Sequence, residues 1–199
     1  MNNKLTYRDA FLFCLLVTCG VLLRLWLRDY PNVSPVAALA LLSGCLFSKR
    51  SIAIAVPLSI MVLSDLKFGG YAFFIMLSVY TCLMLPALAG PWLKSQLQTS
   101  GNVVKSGLTI GASGLLCSLA FFVVTNFTVW WCGSMYPNSM SGLMLCYSLA
   151  IPFFRHTLMG DLVFTFAFLG SYAVALHWMS HRKNLMAGVL APSEVKSNL

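Results

Sequence analysis

Asp65 and Asp161 are the residues of this sequence whose type and setting best suit chemistry. Each stands within or at the edge of a long apolar run. Asp65 lies in Leu63-Ser64-Asp65-Leu66-Lys67, and Asp161 follows Gly160 and the pair Arg155-His156. A charge in a membrane span is costly, so such residues mark solute, ion or proton paths by default. Together they suggest a polar site that grips a solute arriving from outside, and either can titrate if desolvated. Arg155 and Lys67 are the expected counter-charges. Asn126, in Val123-Val124-Thr125-Asn126-Phe127, is an amide that must find hydrogen-bond partners in lipid. Trp130 and Trp131 can form the wall of a site for a flat organic solute. The plainer role for these residues is structural: an Asp–Arg pair, an interhelical amide bond, and indoles at headgroup level.

The elements that position these residues follow from composition. Of the 199 residues, 59% are hydrophobic and 9% charged, and mean hydropathy is +0.82. A soluble domain carries roughly 25% charged residues, so too few charges are present to cover a water-soluble globule. A cytosolic enzyme, a nucleic-acid module and a disordered tail are excluded. The net charge of +8 reads as topology, because basic residues gather in cytoplasmic loops.

Six apolar stretches are expected to span the bilayer: Ala10–Leu27, Val36–Phe47, Ile52–Phe68, Tyr71–Gly90, Gly107–Trp131 and Thr157–Met179. A seventh, Leu143–Phe154, is short and ends at Arg155-His156. Lys4 and Arg8 precede the first stretch as in a signal peptide. No small-x-small cleavage site follows, so a retained first helix is expected. With both termini cytoplasmic, nine of the thirteen Lys and Arg residues fall inside; Arg24, Arg28, Lys67 and Arg155 fall outside. The five tryptophans all lie near expected helix ends, where indoles settle. Val36–Phe47 is the exception in length. Twelve residues reach about 18 Å, short of a hydrocarbon core of roughly 30 Å. It must extend over its polar flanks, sit in a thinned bilayer, or re-enter.

Two loops echo each other, Tyr30-Pro31-Asn32-Val33-Ser34 and Tyr136-Pro137-Asn138-Ser139. Both are expected to shape one outer surface, with Pro setting the turn and Asn or Ser capping the next helix. Small residues four apart in Ala40–Gly44 and Gly107–Gly111 allow helices to approach closely, within the chain or with a partner subunit. Pro57, Pro86 and Pro152 are expected to kink or unwind their helices. The seven cysteines are scattered, with no C-x-x-C pair, and suggest neither a disulfide framework nor a zinc site. No phosphate-binding loop, H-E-x-x-H or G-x-S-x-G occurs. No cofactor, metal or enzymatic role is therefore expected.

Several strings resemble those of a family of small bacterial inner-membrane proteins of unknown function, described as candidate transport proteins. They are Asn32-Val33-Ser34-Pro35-Val36-Ala37-Ala38-Leu39-Ala40-Leu41, Val56-Pro57-Leu58, Leu63-Ser64-Asp65, Val124-Thr125-Asn126-Phe127 with Trp130, Tyr136-Pro137, and Ile151-Pro152-Phe153-Phe154-Arg155-His156-Thr157-Leu158-Met159-Gly160-Asp161. In size and span number the chain is more distantly similar to the S components of energy-coupling factor transporters, which bind vitamins from the outer face. That likeness implies a membrane partner supplying energy. One solitary S-component type, which binds cobalamin, uses a cysteine near the cobalt; Cys82 and Cys132 would be the counterparts here.

The expected protein is thus one all-α domain over residues 1–199, a polytopic bundle of about six helices in the bacterial inner membrane. Short cytoplasmic tails at about 1–9 and 180–199 complete it. Asp65, Asn126, Trp130, Trp131, Arg155 and Asp161 would line an outer-face pocket for a small organic, vitamin-like solute that the chain moves across the membrane. The alternative is a structural or assembly subunit with no solute of its own. The partners are the bilayer, the solute and an energising membrane protein; nucleic acid is excluded.

Overall fold

A run of apolar residues with few breakers folds as helix in lipid, because only a helix bonds all of its backbone groups internally. The computed structural model describes residues 6–70, 72–100 and 102–190. Lys4 before the first stretch, Tyr71 at the expected start of the fourth, and the expected tail beyond residue 190 lie outside them. All regular structure among the described residues is helical. The helices are α1 (Tyr7–Trp26), α2 (Val36–Leu46), α3 (Arg50–Phe68), α4 (Phe73–Met84), α5 (Pro86–Thr99), α6 (Val103–Cys132) and α7 (Met140–Leu190). Five segments are long and apolar enough to cross a membrane: Tyr7–Asp29, Arg50–Phe68, Phe73–Thr99, Val103–Cys132 and Met140–Arg182.

Two boundaries differ from expectation. The fourth span continues past Gly90 to Thr99, interrupted only at Leu85 where α4 passes into α5. Pro86 lacks an N–H and opens the second segment, where no intrahelical donor is needed. The short stretch Leu143–Phe154 is not separate from the last span; both belong to α7. Arg155-His156 resembled a break, yet long polar side chains leave backbone hydrogen bonds intact, and Pro152 is accommodated inside the helix. Pro57 likewise sits within α3 without ending it. α3 stops at Gly69, whose φ of 88° suits glycine. α6 starts under the side chain of Asn102, which accepts the Val104 N–H at 2.8 Å.

The short helix α2 is the axis of the molecule. It touches every other helix, and residues 36–45 are all buried. Protein surrounds it on every side, which is why a helix of eleven residues is tolerated where lipid would demand about twenty. Its polar atoms are spoken for: the Ser43 hydroxyl lies 2.8 Å from the carbonyl oxygens of both Ala40 and Ala53, tying α2 to α3. Against α5, α2 comes into backbone contact at Gly44 and Gly90, and the Cys45 thiol donates to the Gly90 carbonyl at 3.3 Å. The expected close approach at Ala40–Gly44 is thus an internal one. Gly107 has open space around it, and Gly111 faces only the Phe166 ring.

Candidate functional site

Arg24 lies in the last turn of α1, one helical repeat before the chain leaves that helix. Its guanidinium bonds the Asp65 carboxylate of α3 at 2.7 Å and the neighbouring Ser64 hydroxyl. The second oxygen of Asp65 accepts the Tyr80 hydroxyl of α4 at 2.8 Å. The Phe68 ring lies 5.4 Å from the guanidinium carbon, within cation–π range. One polar knot therefore joins α1, α3 and α4. Arg155 and Lys67 are not the partners of Asp65, as had been expected. Both are exposed, and Arg24 occupies the carboxylate.

Asp161 lies on α7 and is 5% exposed. Its Oδ2 accepts the Ser118 hydroxyl of α6 at 2.7 Å. Two glycines make its surroundings close: Gly114, one turn before Ser118, sits against Thr165, and Gly160 sits against Val33 and Ser34. A methyl at 160 would thus require the α1–α2 connection to give by a few tenths of an ångström.

That connection begins with a single 3-10 turn, Leu27–Asp29, and doubles back over residues 30–34. Asn32 makes the turn with φ at 65°, a conformation that Asn tolerates better than most residues. Asn32→Val is expected to cost about 1–2 kcal/mol, because a β-branched residue clashes in the left-handed region. Asn32→Gly should stay close to wild type. Thermal unfolding of the detergent-purified variants separates the two.

Beneath this loop is a cavity of about 440 Å³. Arg24, Arg28, Asp65 and Asp161 all line it, together with Asn32, Ser34, Phe68, Thr157 and an inner wall of Cys82, Leu83, Cys117 and Phe121. The two aspartates singled out from the sequence thus share one cavity. A second space of about 310 Å³ adjoins it, sharing Asn32, Phe121 and Thr157, and contains Asn126. The Asn126 amide donates to Phe122 O of its own helix at 2.8 Å, rather than across to a neighbouring helix.

Trp130, Trp131 and Arg155 line neither space. Trp130 donates to the Pro137 carbonyl at 3.0 Å, closing the α6–α7 turn, and Trp131 stacks on Phe127 with centroids 6.0 Å apart. The two echoing loops therefore have different surroundings: residues 30–34 cover the cavity, and 136–139 brace a hairpin. Of the cysteines, Cys82 faces the cavity, whereas Cys132 is exposed at the end of α6. Arg24, Tyr80, Ser118 and Cys117 were not anticipated. Arg24 had a legible signal: it is a charge near the end of an apolar run, and the rule applied to the aspartates applies equally to it. Among the described residues, no cluster of three His, Cys, Asp or Glu side chains able to hold a metal occurs.

A polytopic helical membrane bundle enclosing a charged cavity beneath an interhelical loop is the class that this fold and site define. Within it, the chain belongs to a family of unknown function, DUF6580, whose model matches residues 4–185. Comparison with curated proteins and with solved structures gave no match.

Proposed function

We propose that this chain binds a small organic solute, vitamin-like in size, in the cavity between Asp65 and Asp161 and moves it across the bacterial inner membrane. The supporting observation is the cavity itself. Two carboxylates and two guanidiniums line it, among mostly apolar helices. Charges so placed are expensive in lipid unless they serve a polar guest, and about 440 Å³ is within the range of small-molecule sites. In this reading the Trp26 end of the bundle faces outward and both termini are cytoplasmic, following the distribution of Lys and Arg. The likeness to vitamin-binding S components belongs to the same proposal, with a membrane partner or simple equilibration driving transport.

The test is a thermal-shift screen of the purified protein against vitamins, cobalamin included, and other small metabolites. A ligand selective for the folded state adds about 2.7 kcal/mol of stability at a hundredfold excess over its dissociation constant. A true hit also slows alkylation of Cys82 and Cys117, which face the cavity, and weakens in Asp161→Asn. The Arg24–Asp65–Tyr80 knot favours a second reading, a structural or assembly subunit. In that case no compound shifts the transition, and Asp65→Asn loses partner association instead of ligand.

A further inference from the structure

The cavity's charges are unequally satisfied, and this asymmetry bears on what fits there. Arg24 and Asp65 neutralise one another, and the free valence of Asp65 is taken by Tyr80. Thr157, the hydroxyl nearest in sequence to Asp161 on the cavity wall, donates back to its own helix at Phe153 O. Asp161 is different. It is 95% removed from solvent by its 5% exposure, and Ser118 bonds only Oδ2. Its Oδ1 receives no hydrogen bond from any described residue. Cys82, Leu83, Cys117 and Phe121 also line the cavity and offer no strong donor. A carboxylate in such surroundings needs a donor, and best a cationic one.

We propose that the solute carries a protonated nitrogen (an ammonium, amidinium or protonated heterocycle) that docks on Asp161 Oδ1 at the inner end of the cavity. The proposal rests on the solute-binding reading above and names the chemistry of its guest. The apolar wall beside Asp161 accommodates the hydrocarbon or aromatic body that carries the nitrogen, and Phe121 supplies a ring face for it. Arg28, exposed on the rim, would repel the same cation there. The charge is therefore attracted only at depth, which orients the guest nitrogen-first.

The experiment uses the full-length chain in nanodiscs and matched probes of nearly equal shape: benzamidine, benzamide and benzoate, then 2-phenylethylamine, 2-phenylethanol and phenylacetate. Binding is read as a thermal shift and as slowed alkylation of Cys82. The cation of each set is expected to bind at least tenfold tighter than its neutral counterpart, with the anion weakest, consistent with a desolvated charge pair. Asp161→Asn should erase the tenfold preference of cation over neutral probe. Ser118→Ala, which removes the only hydrogen bond that Asp161 receives from the described residues, should retain or strengthen cation binding. The comparison within wild type needs no variant, so a poorly folding Asp161→Asn protein does not spare the proposal. Equal binding across a set, or preference for the anion, overturns the cationic guest yet leaves solute binding standing. Failure of every probe and of the wider metabolite screen overturns both. Protection of Cys82 by sodium chloride alone, matching that by the amines, also overturns it.

Discussion

Replacing Gly44 with valine should destabilise the protein by about 3 kcal/mol or prevent its folding, the upper end of the usual cost of overpacking. A Cβ at 44 would collide with the Ala87 carbonyl and lie 2.9 Å from Gly90 Cα. A Cβ at 90 would collide with the backbone of Gly44 and Cys45. Those neighbours are main chain, so no rotamer change relieves the clash; α2 and α5 would have to separate. Separation also breaks the Cys45 thiol bond to Gly90 and opens a gap along a helix that is buried throughout. Gly90→Val should behave alike. The control is Gly107→Ala, which meets nothing within 4 Å and should gain roughly 0.5–1 kcal/mol from helix propensity. Fluorescence-detected size exclusion and thermal unfolding measure all three. A Gly44→Val protein as stable as wild type would mean that α2 and α5 do not pack as described.

Arg24→Ala is the second large effect, about 3 kcal/mol, because removing one member of a desolvated pair leaves the other charge buried without compensation. The side chains of Arg24 and Asp65 are 18% and 10% exposed, so screening by water is slight. The double variant Arg24→Ala/Asp65→Ala should recover part of the loss, since no unpaired charge remains. Arg24→Lys should not rescue fully: one ammonium cannot reproduce the planar guanidinium's contacts with Asp65, Ser64 and the Phe68 ring. Thermal unfolding of the four proteins forms the cycle. Strict additivity of the two single variants would show that the pair is not coupled.

The bundle was legible from the apolar runs, and the two aspartates were legible because a carboxylate is conspicuous against so few polar residues. What the chain did not disclose was pairing. Asp65 could be assigned Arg155 or Lys67 on depth alone, whereas its partner is set by how α1 leans on α3, a tertiary fact across a sequence separation of 41. Arg24 had been read as a mere topological charge. The continuity of α7 was hidden for a related reason: polarity at Arg155-His156 says where water or headgroups lie, not where hydrogen bonding of the backbone ends. Trp130 and Trp131 had two uses open to them as aromatic surfaces; in the fold Trp130 closes the α6–α7 turn, Trp131 stacks on Phe127, and the cavity is left to Phe68 and Phe121.

Burial of α2 also imposes an order in time. Synthesis is vectorial, and Gly90 leaves the ribosome 45 residues after Cys45, a delay on the order of seconds. During that interval an eleven-residue helix, about 16 Å long, has no α5 to receive it and is too short to rest in lipid alone. Only α1, then α3 and α4, are at hand to shelter it. The molecule's axis is therefore installed late, as a segment held in waiting until α5 and then α6 and α7 arrive, and the glycine seat between α2 and α5 cannot start the assembly.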